Sequence, residues 1–86
     1  MSKKYKLTKN KIVYFGITLF QIIALKDFGD VSKGNLGGYI ESEKCLDQAG
    51  NAWVYGDARV YGDARVYGDA RVYGNARVYG NARVYG

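Results

Sequence analysis

From Asn51 to Gly86 the chain repeats one hexad six times: NAWVYG, DARVYG, DARVYG, DARVYG, NARVYG, NARVYG. A period this short dictates the architecture, because a six-residue unit cannot bury its own apolar face and must stack on its neighbours. In an extended Ala-Arg-Val-Tyr segment, alternate side chains point to opposite faces. Ala and Val share a small apolar face; Arg and Tyr share a large polar one. Gly-Asp or Gly-Asn then supplies a corner, since these residues accept unusual backbone angles. A helix is a poor fit. A period of six matches neither 3.6 nor 3.5, and a glycine in every hexad costs about 1 kcal/mol relative to alanine. A hairpin meander suits the Gly-Asn and Gly-Asp turns but leaves long unpaired edges. Parallel coils instead pair every interior strand above and below, at about 4.8 Å.

This hexad resembles that of the hexapeptide-repeat, left-handed parallel β-helix proteins. The resemblance implies a triangular coil of three hexads and 18 residues, with an aliphatic residue pointing inward and a small residue two positions before it. Val54, Val60, Val66, Val72, Val78 and Val84 match the first role, and Ala52, Ala58, Ala64, Ala70, Ala76 and Ala82 the second. The left hand comes from the resemblance alone, because parallel crossovers are ordinarily right-handed. An 18-residue coil also sets Asn51 under Asp69, Asp57 under Asn75 and Asp63 under Asn81. A 12-residue coil would stack Asp57 on Asp69, a like-charge pair. The leader, with ALKDFGDV, then NLGGYIES, then NAWVYG, resembles that of bacterial and phage polymer-forming, cytoskeletal-type hexapeptide proteins.

The expected fold is therefore all-β: a left-handed parallel β-helix with an N-terminal β-hairpin cap. Residues 1–39 are expected to form the cap and a loop, and residues 40–86 the β-helix. Within the cap, Tyr5 and Leu7 alternate with Lys4 and Lys6 as a half-buried strand. Thr8-Lys9-Asn10-Lys11 suits a turn, and Ile12–Leu25 reads as strand with Gly16 as a bulge or bend. The glycine-rich stretch 26–39 reads as loop; it lacks the Gly-Lys-Ser/Thr ending of a phosphate loop. Counting back in sixes from Ala52 reaches Leu46 and Ile40, so 40–50 is expected to be a degenerate first layer with larger residues in the alanine slot. Trp53 takes an arginine slot and is expected to face outward, packed under the cap.

Composition narrows the function. Among 86 residues the net charge is +5, with eight Lys and five acids before residue 51 and five Arg and three Asp after it. Cys45 is the lone cysteine, which excludes an internal disulfide and a cysteine zinc site and suits a buried thiol in a reducing compartment. The basic start followed by the apolar run Ile12–Leu25 has the outline of a secretory signal. Gly16, Thr18 and Gln21 interrupt that run, and no small-x-small cleavage site follows it. It is too short to span a bilayer as a helix. The expected location is the cytoplasm, with no membrane partner.

Many proteins of the resembled family are acyltransferases and others are carbonic anhydrases; both chemistries would require histidine, and this chain has none. The repeat carboxylates Asp57, Asp63 and Asp69 occupy equivalent positions, which does not suit an acid–base pair. Sequence reasoning thus expects no enzyme, no cofactor and no metal site. It expects a structural, self-assembling solenoid. The chain ends on a complete hexad, so the last coil, with Val72, Val78, Val84, Ala76 and Ala82, is expected to dock head-to-head with a second copy. A trimer or filament is the other arrangement. The alternative is a binding module for nucleic acid or anionic glycan. Its face would comprise Arg59, Arg65, Arg71, Arg77 and Arg83 with Tyr61, Tyr67, Tyr73 and Tyr79. Parallel stacking produces such rows whatever the function, so nucleic acid is the weaker expectation.

Overall fold

In the computed structural model, which describes residues 3–86, the repeats form short strands joined by tight corners. The strands are β1 (Tyr5–Tyr14), β2 (Ile17–Ala24), β3 (Leu36–Ile40), β4 (Trp53–Val54), β5 (Arg59–Val60), β6 (Arg65–Tyr67), β7 (Arg71–Val72), β8 (Arg77–Val78) and β9 (Arg83–Tyr85). The described helical content is one 3-10 turn, Glu43–Cys45. Among the described residues no helix is long and apolar enough to cross a membrane.

Each repeat strand pairs in parallel with the third strand after it. β4 pairs with β7, β5 with β8 and β6 with β9, so Val54 meets Val72, Val60 meets Val78, and Val66 meets Val84. Three ladders result, with valine and alanine inside. Val54, Val60 and Val66 are fully buried, as are Ala52 and Ala58. Between strands, Tyr-Gly-Asp/Asn-Ala closes a turn in which the Ala N–H donates to the Tyr carbonyl, as from Ala58 to Tyr55 at 3.2 Å. The corner glycines hold φ between 60° and 70°, and the residue after each has negative φ. A glycine at the first central position with positive φ is the II′ pattern, which explains why the hexad cannot dispense with it.

The N-terminal hairpin extends one ladder, giving the sheet order β1-β2-β3-β5-β8. β1, β2 and β3 are antiparallel to one another, and β3 pairs with β5 in parallel. Three sequence expectations need correction here. The hairpin turn is at Phe15-Gly16, between the paired residues Tyr14 and Ile17, with φ of 50° and 77°. That is the I′ geometry matched to strand twist, so Gly16 is the turn itself. The polar segment Thr8–Asn10 is instead a bulge in β1 opposite Gln21. It is held by Thr8 Oγ1 donating to the Gln21 carbonyl at 2.8 Å and Asn10 Nδ2 donating to Gln21 Oε1 at 3.1 Å. Second, residues 36–39 are strand. Gly37 and Gly38 are there for close approach: a Cβ on either would lie 2.6 Å from a carbonyl oxygen of the repeat, Val54 or Ala58.

Third, Ile40 pairs with Val60 and Leu46 bridges Val66, so both fill valine positions. The count in sixes fails because two residues are inserted between Leu46 and Ala52. The Asp47 N–H still reaches the Val66 carbonyl, and the Asn51 N–H reaches that of Gly68. Gly50 lies against Gly68, which leaves Gln48 and Ala49 as the insert.

Gly38→Ala therefore probes space alone, and Gly74→Ala, open around its Cβ but at φ +69°, probes backbone freedom alone. The first should lower unfolding free energy by about 3 kcal/mol through overpacking. The second should cost about 1 kcal/mol through left-handed strain. Urea midpoints of the two variants check this; equal losses would assign Gly38 no packing role.

Candidate interaction faces and the capping junction

The inserted Gln48 is where the hairpin is locked to the repeat. Its Oε1 accepts the backbone N–H of Lys4 at 2.8 Å and of Tyr5 at 3.3 Å, while its Nε2 donates to the Tyr5 carbonyl at 3.3 Å. One side chain thus ties two consecutive peptides of β1's entry. The Lys4 ammonium donates to the Ala52 carbonyl at 2.8 Å, with the Gly50 and Ala49 carbonyls at 3.4 and 3.5 Å. Its other side lies 4.9 Å from the centre of the Phe28 ring. Lys4 is 1% exposed, and three carbonyl oxygens with an aromatic face are the partners a buried cation needs. Tyr5 donates its hydroxyl to the Leu46 carbonyl. Trp53, in β4, is enclosed by edge-on contacts from Tyr5 and Phe28 at 6.1 and 5.2 Å and is 1% exposed. It packs under the cap, as its sequence position suggested. Cys45 is a buried free thiol.

The outward arginines and tyrosines do not form one open face. Tyr14, at the hairpin tip, lies over Arg59 at 4.6 Å and Arg77 at 5.4 Å and packs edge-on against Tyr61 at 5.6 Å. Arg77 Nε also donates to the Tyr14 hydroxyl at 3.3 Å. Arg71 pairs with Asp30 at 3.0 Å across an exposed gap. Arg65 and Arg83 are exposed and stand one above the other. Tyr61 stacks on Tyr79 at 5.5 Å and Tyr67 on Tyr85 at 5.1 Å, with nearly parallel rings in both pairs. Tyr73 and Tyr79 are exposed. So the residues proposed as a polyanion face are divided among three ladders, and one ladder is covered by the hairpin. An open depression of about 310 Å³ lies beside Arg65, lined also by Lys44, Gly62, Asp63 and Ala64. Its charges are of both signs. Among the described residues no three His, Cys, Asp or Glu side chains converge as a metal site.

Burial falls along the repeat. Val72 and Val78 remain buried at 4% and 8% exposure. Val84 is half-buried, and Ala76 and Ala82 are exposed. The coil holding β7, β8 and β9 has each strand paired on one side only. Sequence reasoning set Lys4 among the polar alternates of its strand, where the structure buries it, and gave Gln48 no role. The break in the hexad count at Gln48-Ala49 is the signal that marked Gln48.

A family model described as the YdcK β-solenoid repeat matches residues 52–68, 58–72, 64–78 and 76–86. The chain is a β-solenoid repeat protein. A protein of Escherichia coli (strain K12) named "Uncharacterized acetyltransferase YdcK" is 38% identical over 61 residues, covering 62% of this chain and 19% of that protein. The chain thus spans about a fifth of the length of this relative. That name overturns the expectation that the chain stands apart from enzymes. The lack of histidine describes these 86 residues only, and a stretch matching so small a share of its relative cannot be held to contain every group a reaction needs.

The junction titrates. Burial lowers the Lys4 ammonium to about 8, a shift opposed by the Asp47 carboxylate and aided by the Lys26 charge. Between about pH 8 and 10.5 the unfolded chain keeps a proton that the folded chain has released, so stability rises with pH across that window and is lowest below it. Burial, with Glu43 next, pushes the Tyr5 phenol upward from 10.0. Above about pH 10 it acts oppositely, since only the unfolded phenol ionises there. Urea unfolding should therefore show stability climbing from about pH 8 towards pH 10 and then turning over. Lys4→Met should abolish the climb; a climb that persists in that variant would assign it to another group.

Proposed function

We propose that this chain is a capped β-solenoid module that assembles by docking its β7–β8–β9 coil against that of a second copy. The observation that carries this reading is the asymmetry of the two ends. At one, the hairpin covers the ladder through β3 and fills the space under Trp53. At the other, three edge strands and the half-buried Val84 lie together. Unpaired strand edges are templates for pairing, and a self-complementary contact between like ends closes as a two-fold dimer. In finer detail, the coil is taken as the left-handed, 18-residue hexapeptide type. The pairing of Trp53 with Arg71, Arg59 with Arg77 and Arg65 with Arg83 supports that coil length. The leader's resemblance to phage and cytoskeletal polymer-forming proteins favours an assembly role in the cytoplasm.

A second reading rests on the relative named an acetyltransferase: the solenoid is the rigid scaffold of an acetyl-transferring protein. Calorimetric titration of the chain with acetyl-coenzyme A separates the two, since heat of binding would favour the scaffold of a transferase.

For the assembly reading, the mass of the chain in solution should be that of a dimer at micromolar concentration. Val84→Lys should return it to a monomer with an unchanged β-type circular dichroism spectrum, because a charge at that rim must be desolvated on docking. A monomeric parent chain, or a Val84→Lys chain that still dimerises, would sink the proposal.

A further inference from the structure

The hairpin tip has two unlike faces. Ile12 and Leu19 are partners, as are Tyr14 and Ile17; Leu19 is fully buried and Tyr14 lies on the arginine ladder. Strand alternation sends Lys11, Val13 and Thr18 the other way. There Val13 is 73% exposed. Phe15, in the turn between the two faces, packs its ring on that of Tyr14 at 4.5 Å and is still 83% exposed. No described segment covers them. Lys9 and Lys11 are exposed on the same arm. The segment from Lys3 to Leu25 holds no acidic residue; of its five lysines Lys4 is buried and Lys3 pairs with Glu43 at 3.1 Å, which leaves Lys6, Lys9 and Lys11 exposed.

Phe15 is also the wrong residue for its turn. At φ 50° it is the single described non-glycine residue in the left-handed region. A I′ turn takes Asn, Asp or Gly there, and a bulky side chain in that region is an outlier. A strained aromatic, held in water at the tip of a cationic arm, is a poor choice for stability. Such outliers cluster where the side chain is needed for contact.

We propose that the β1–β2 tip is a peripheral docking point for an anionic lipid bilayer. Val13 and Phe15 enter the headgroup boundary, and Lys9 and Lys11 meet the lipid phosphates and carboxylates. Charge complementarity selects this partner: an apolar point with two exposed lysines on the strand beside it suits a negatively charged leaflet. Nucleic acid suits it less, because Val13 offers no ring on which a base stacks. The expectation of no membrane partner rested on the lack of a spanning segment, and a surface contact needs none.

Co-sedimentation of the chain with vesicles tests this. Vesicles of phosphatidylcholine with about one third phosphatidylserine should retain the chain, and vesicles of phosphatidylcholine alone should not. Phe15→Ser with Val13→Ser should weaken retention at least about tenfold, and Lys11→Gln about fivefold. Phe15→Asn keeps the turn and should raise the melting temperature while losing retention, which separates docking from folding. Absence of binding to the anionic vesicles overturns the proposal. So does retention that survives Phe15→Asn, or Phe15-dependent retention on single-stranded DNA without retention on vesicles.

Discussion

Valine resting on valine from coil to coil is the contact on which this molecule depends. A hexad exposes too little apolar surface to fold alone, and its small inward residues make a thin core. That core works only when each coil sits in register on the next. Val60 shows the principle best: it lies between Ile40 below and Val78 above and is fully buried. The ladder hydrogen bonds impose that register, as from the Arg59 N–H to the Ala76 carbonyl at 3.0 Å and from the Tyr61 N–H to the Val78 carbonyl at 3.0 Å. Repetition in sequence and burial in structure are therefore the same constraint. Any residue that shifts one coil must be absorbed at a corner, where the side chains face water.

The insertion at Gln48-Ala49 obeys that rule. It falls at a corner and leaves the ladders on either side paired. It also gives the cap something to hold, since a uniform repeat offers no distinctive group for a hairpin to recognise. The lysine that enters there costs desolvation, which three carbonyls and the Phe28 ring offset. The cap is thus fixed by polar contacts at the break in the repeat and by Tyr5, Phe28 and Trp53 around them.

The repeat itself was legible in the residues. Alternation within Ala-Arg-Val-Tyr put Val and Ala inside, and Val54, Val60, Val66, Ala52 and Ala58 are there. Glycine at the corner followed from its backbone freedom. The cap was legible as a hairpin but not in register, because polarity was taken for a turn. Thr8 and Asn10 satisfy their polar groups on Gln21 inside the sheet, while the real turn contains a phenylalanine that local preferences advise against. Gly37 and Gly38 read as loop because close backbone approach and chain reversal use the same residue. The Lys4–Gln48 contact joins residues 44 positions apart, beyond the reach of any local pattern. The inference against enzymes failed for another reason: it rested on a residue type absent from the chain, whereas a relative 38% identical over 61 residues is named an acetyltransferase.

Stacking identical coils also stacks identical charges, and the three ladders meet that problem differently. Arg59 and Arg77 are directly paired. At about 5 Å two unit charges repel by about 1 kcal/mol in water and several times that near a protein surface. Arg59 Nε is buried without a hydrogen-bond partner, so this column is the least hydrated. It is also the column that Tyr14 covers, and a ring facing both guanidiniums supplies the attraction that water no longer does. On the next ladder the problem is removed, because Trp53 replaces the arginine beneath Arg71 and Asp30 pairs with the one that remains. On the third, Arg65 and Arg83 are left exposed, where solvent screens them. The single departure from arginine at the third position of the hexads, Trp53, therefore does two things at once. It fills the space under the cap and interrupts a column of like charge, and the hairpin that needs the first also provides the tyrosine that relieves the neighbouring column.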